Sequence, residues 1–95
     1  MPWICVTTGP DLSDDAARAL SREVAAAAAA ALDLVADDVI VFISPARAVS
    51  APGAVVSLAG RRRDDAAESA LASAVRAPVS AALGIDPDLV GVTRL

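Results

Sequence analysis

Two short stretches of this chain carry chemistry: the start, Met1-Pro2-Trp3-Ile4-Cys5-Val6, and the run Arg61-Arg62-Arg63. While Met1 remains, the nitrogen of Pro2 is an amide. Once Met1 is removed it becomes a secondary amine on a rigid ring, able to take up and return a proton. Few other bases are on offer, because the chain contains no His and no Tyr. An α-amino group titrates at about 7.7–8.0 in model peptides, and burial or neighbouring cations lower that value by disfavouring the charged form. Guanidinium groups beside Pro2 would have this effect. They would also grip a carboxylate through two parallel hydrogen bonds. Pro2 as proton carrier with Arg61, Arg62 and Arg63 as an anion clamp is therefore one expectation. The alternative is a solvated turn in which the arginines pair with Asp64 and Asp65. Arg47 and Arg94 are further cations that a neighbouring subunit could contribute.

Composition limits the partners. The net charge of −4 and a pI near 4.4 exclude the basic field that nucleic acid needs. One Cys rules out an internal disulfide, and without His there is no zinc pattern, so Cys5 reads as a small strand hydrophobe and no metal or cofactor is expected. No basic segment followed by an apolar run opens the chain, and no apolar stretch is long enough to span a bilayer, so a cytoplasmic protein with no membrane partner is expected. Hydrophobic residues make up 56% of the sequence, but alanine supplies much of that. A chain of 95 residues buries only about 60–65% of its unfolded surface, so stability borrowed from an oligomer is expected.

The elements that must position Pro2 and the arginines are legible in order. Pro2 to Thr8 is apolar on both alternating faces, as in a strand covered on both sides. Asp11 or Ser13 caps a helix running to about Leu32, with Leu20, Val24, Ala28 and Leu32 on one stripe. Val39 to Ile43 is a second strand, Ser44 to Pro52 a connector and Ala54 to Leu58 a third strand. Gly60 closes that strand, and the arginine run leads into a helix opened by Asp64 and Asp65. Leu71, Val75, Val79 and Leu83 form its stripe. Pro78 interrupts it and predicts a kink, since an interior proline costs about 3 kcal/mol. Gly84 ends the helix, Asp86-Pro87-Asp88 turns the chain, and Leu89 to Leu95 is the last strand.

A shift of 51 residues aligns the two halves without a gap: Gly9 on Gly60, Asp14 on Asp65, Leu20 on Leu71, Val24 on Val75, Leu32 on Leu83 and Val39 on Val90. The chain is a βαβ unit written twice, residues 2–44 and 53–95 joined by the connector 45–52 in one domain. This predicts an α/β fold with a four-stranded sheet and both helices on one face. The other face then has to meet further copies of the chain. The same element order also describes ferredoxin-like small-molecule binding modules, which stand as a non-enzyme alternative.

Duplicated βαβ units and a proline after Met1 together resemble the tautomerase superfamily, with its macrophage migration inhibitory factor-like and cis-3-chloroacrylic acid dehalogenase-like members. Met1-Pro2-x-Ile4-x-Val6 resembles the family start. The segment from Pro52 to Leu58 resembles its Pro-x-Ala-Leu-x-Ser-Leu strand, and Ile85-Asp86-Pro87-Asp88-Leu89-Val90 its turn into the last strand. The resemblance implies a homotrimer in which Pro2 moves a proton on an enolisable 2-oxo acid or a related unsaturated carboxylic acid, in tautomerase (isomerase), hydratase, dehalogenase or decarboxylase chemistry. It implies that Trp3 lines the pocket and that Arg63, at the junction of strand 3 and helix 2, binds the carboxylate, while Gly60 falls on the family's other arginine. Basic positions of other branches fall on Leu34 and Ile40, and a Tyr and an Asn on Gly91 and Thr93. A tautomerase-fold trimer without catalysis is therefore a second non-enzyme alternative.

Overall fold

The computed structural model describes residues 1–9 and 11–95, and its elements follow from local sequence cues. Strand β1 (Trp3–Thr8) alternates strictly. Ile4, Val6 and Thr8 are buried on one face, while Trp3, Cys5 and Thr7 point to the other. Helix α1 (Asp14–Leu32) starts where the Ser13 side chain accepts from the Ala16 N–H, and Asp14 and Asp15 face its positive end. It stops at Asp33, which takes the left-handed conformation at φ 55°. Helix α2 (Asp65–Leu83) repeats the design, with Asp64 accepting from Ala67 and Gly84 at φ 64° closing it. A short 3₁₀ turn follows each helix, at Ala36–Asp38 and Pro87–Leu89, before strands β2 (Ile40–Pro45) and β4 (Val90–Arg94). Strand β3 (Ala54–Ala59) opens the second unit.

The sheet order is β2-β1-β3-β4. Each βαβ unit forms its own parallel pair, β1 with β2 and β3 with β4, and β1 meets β3 antiparallel at the centre. In a ferredoxin-like module the two strands of each unit are split by a strand from the other. Here they are adjacent, so that alternative is overturned by topology. The helices pack against each other and onto one face, where Ile4, Val24, Val56, Val75 and Val79 have no exposed surface. The opposite face carries Trp3, Phe42 and Val55, all about half exposed.

Three expectations need correction. Helix α2 continues through Pro78 without a break and ends at Leu83, before Gly84, as expected. Val75 and Val79, both fully buried, hold it to the sheet on either side of the proline, and packing of this kind outweighs local propensity. The last strand starts at Val90 rather than Leu89, because Leu89 donates to the Asp86 carbonyl within a 3₁₀ turn. Strand β2 likewise starts at Ile40, after Val39 has donated to Ala36. The 51-residue repeat is in phase for the helices and for β2 against β4, but not for the first strands. Ile4 is buried while its counterpart Val55 is exposed. With a period of two, a one-residue offset turns every side chain to the other face.

Candidate active site

Pro2 is buried at the start of β1, and its carbonyl accepts from the Ile40 N–H at 3.1 Å, which fixes its place between β2 and β3. On the β3 side, Gly60 crosses the amino-terminal backbone. Its φ of +106° belongs to a region that side-chain-bearing residues avoid, and a Cβ there would lie 3.0 Å from the Met1 carbonyl oxygen and 3.5 Å from Pro2 Cα. Glycine therefore serves twice at this position, permitting the turn and the close approach. The turn carries Arg61 and Arg63 to a cavity that Met1 lines, while Pro2 itself is not among its lining residues. This cavity, of about 400 Å³, is lined by Met1, Leu34, Asp38, Arg61 and Arg63.

The expected site residues separate. Arg61 and Arg63 share the cavity with the amino-terminal segment. Arg63 is half-buried, and its Nη1 donates to the Arg61 carbonyl at 3.4 Å. Arg62 does not line the cavity; it stands 3.6 Å from Asp65, and both side chains are largely exposed. The solvated-turn description thus fits Arg62. Trp3 lies on the open face of the sheet, stacked on Phe42, outside the cavity of a single chain. Arg94 is engaged within the chain, 3.5 Å from Glu68, so it is not a spare cation. Arg47 follows Ala46, which donates to the Thr8 carbonyl, and so lies at the far end of β1 from Pro2.

Asp38 was not anticipated. It adds a carboxylate to the lining of the cavity that Met1, Arg61 and Arg63 share. A signal for it exists in the repeat, because the 51-residue shift puts Leu89 at Asp38, Leu12 at Arg63 and Pro10 at Arg61. The charged members of these pairs gather at one cleft. The counterpart cleft, larger at about 530 Å³, is lined by Leu12, Val49, Pro52, Leu83 and Ile85, with Asp11 as its one charged group among the described residues. Of the two clefts, the smaller holds the charged side chains. Among the described residues no group of His, Cys, Asp and Glu could hold a metal ion, and no helix is long and apolar enough to cross a membrane.

The sequence matches no family model and no curated protein. Solved structures do match. A fused 4-OT, a wild-type symmetric trimer, superposes with a TM-score of 0.83 at 21% identity, covering 98% of this chain and 83% of that one. Malonate semialdehyde decarboxylase, whose structure was related to decarboxylase and hydratase activities, gives 0.81 at 15% identity over 98% and 82%. Macrophage migration inhibitory factor of Toxoplasma gondii gives 0.81 at 18% identity over 98% and 87%. Likeness at these identities resides in the backbone, and by its backbone this chain shares the fold of these three proteins.

Proposed function

We propose that this chain, once Met1 is removed, is a cytoplasmic enzyme that transfers a proton on an enolisable 2-oxo acid or a related unsaturated carboxylic acid, with Pro2 as the acid–base group. The observation that carries the proposal is the convergence of the amino terminus, Arg61 and Arg63 on one cavity, with Gly60 packed over Pro2. Loss of Met1 exposes the ring nitrogen at the cavity that Met1 now lines. Arg61 and Arg63 hold the substrate carboxylate, a task suited to the planar guanidinium. The Pro2 amine accepts a proton from the carbon beside the carbonyl, leaving an enolate, and the protonated amine then gives that proton to the enolate oxygen to form the enol; the same two transfers run in reverse from enol to ketone. Asp38, on the lining of the same cavity, accepts a hydrogen bond from a substrate hydroxyl or a water molecule. That placement suits hydration as well as tautomerisation.

The working form is a homotrimer. Trp3, Phe42 and Val55 leave an apolar face on a sheet whose helices cover only the other side, and fused 4-OT, which shares the fold, is a trimer. Subunits joined on that face would bring Trp3 toward a neighbour's site. The second reading, a trimer of the same fold without catalysis, is favoured by Leu34 and Ile40 beside Pro2, where other branches carry basic groups.

The test compares processed protein, verified by intact mass, with a variant that retains Met1, on a panel of 2-oxo and unsaturated acids including phenylpyruvate. Turnover by the processed form alone supports the enzyme. Equal rates for the two forms remove Pro2 from the mechanism and leave the non-catalytic trimer.

A further inference from the structure

Outside the proposed site, two charged side chains are mostly buried where the first βαβ unit is apolar. Glu68, near the start of α2, and Arg94, at the end of β4, expose only 14% and 18% of their side chains, and Arg94 Nε stands 3.5 Å from Glu68 Oε1. Both lie in the parts of the repeat that are in phase, where the first unit has Ala17 and Ile43. The fold therefore needs no charge at either position. Burying an ion pair removes two charges from water, and an apolar pair of similar volume is often as stable or more so. Packing alone does not account for Glu68 and Arg94.

Their remaining hydrogen bonds do. Arg94 Nη2 donates to the Gly60 carbonyl at 2.8 Å, and Glu68 Oε1 accepts from the Arg63 N–H at 2.9 Å. The pair thus grips both ends of the turn from Gly60 to Arg63, the turn that carries both cavity arginines and packs Gly60 over Pro2. Neither Glu68 nor Arg94 lines the cavity itself.

We propose that Glu68 and Arg94 are positioning residues that lock the Gly60–Arg63 turn so that Arg61 and Arg63 meet a substrate carboxylate in fixed geometry beside Pro2. This rests on the proposed function. Arg94 acts through Gly60, Glu68 acts through Arg63, and the proton-transfer step at Pro2 is untouched. Releasing the turn weakens substrate capture while leaving the chemistry of bound substrate in place.

The deciding variant is Glu68→Ala/Arg94→Ile, which restores the apolar pair of the first unit and so removes the lock without a buried unpaired charge. With processed protein and phenylpyruvate, KM should rise about tenfold to a hundredfold, the scale of a small misplacement of binding groups, with kcat within about twofold and melting temperature at or above that of the parent. Arg94→Lys should fall between, because a single ammonium cannot span Glu68 and Gly60 as the guanidinium fork does. An unchanged KM in the double variant overturns the proposal. Exchange of the Arg63 amide hydrogen provides a readout without turnover, since it should quicken in the double variant if Glu68 holds the turn. A parent inactive on every acid defeats the enzyme reading, and the lock then stands on quickened exchange and falls on unchanged exchange.

Discussion

Trp3 and Phe42 stack across β1 and β2 with ring centroids 6.5 Å apart and planes within 8° of parallel, yet each is about half exposed. An aromatic pair that stays wet on a sheet face adds little to a lone chain and much to an interface. Phe42→Glu should therefore convert the proposed trimer to monomer in native mass spectrometry while leaving helical circular dichroism intact, because Phe42 takes no part in the helix-side core. A trimer that survives this charge would place the subunit contact elsewhere.

The three arginines should behave differently on substitution. Arg63→Ala is expected to weaken carboxylate binding by about 1.5–3 kcal/mol, the range of hydrogen bonds to charged groups, and Arg61→Ala to act in the same direction. Arg62→Ala, which removes only an exposed contact with Asp65, should leave KM for phenylpyruvate unchanged. Equal effects at all three positions would mean a general field rather than a grip.

Processing should control activity. Protein lacking Met1 is expected to exceed a Met1-retaining variant by about 10²- to 10⁴-fold in kcat/KM, the usual contribution of a positioned general base, equal to about 3–5 kcal/mol of barrier. Pro2→Ala keeps a primary amine and should retain part of the rate, so the blocked form is the cleaner comparison.

Gly60→Ala should cost about 1–3 kcal/mol in urea unfolding, as expected for a side chain held at a disfavoured φ. The added Cβ also meets the Met1 carbonyl at 3.0 Å, so in the unprocessed protein the amino-terminal segment must shift as well. Removing Met1 should recover part of the loss, and equal destabilisation of the two forms would assign all of it to backbone strain.

Much of the fold was legible because it is written in local periods. The stripe Leu20, Val24, Ala28 became the buried face of α1, and Leu71, Val75, Val79 that of α2. Asp64 and Ser13 cap the helices because a short polar side chain before a helix can satisfy a free N–H. The repeat itself implied two parallel pairs and helices on one side. Pro78 shows the limit of local cues, because its interruption of α2 was overridden by buried neighbours on both sides.

The sequence by itself thus determined the elements, their order and the candidate proline and arginines, since period, capping and residue chemistry are local properties. Only the tertiary structure decided which groups meet. It set Gly60 over Pro2, put Asp38 on the same cavity as Arg61 and Arg63, and turned Arg62 toward Asp65. It also tied Arg94 to Glu68 instead of leaving it free for a neighbour. Those outcomes depend on φ at one turn and on the antiparallel pairing of β1 with β3, which joins Trp3 to Ala59. No local pattern encodes which side of a turn a residue takes when the partner strand lies more than half the chain away.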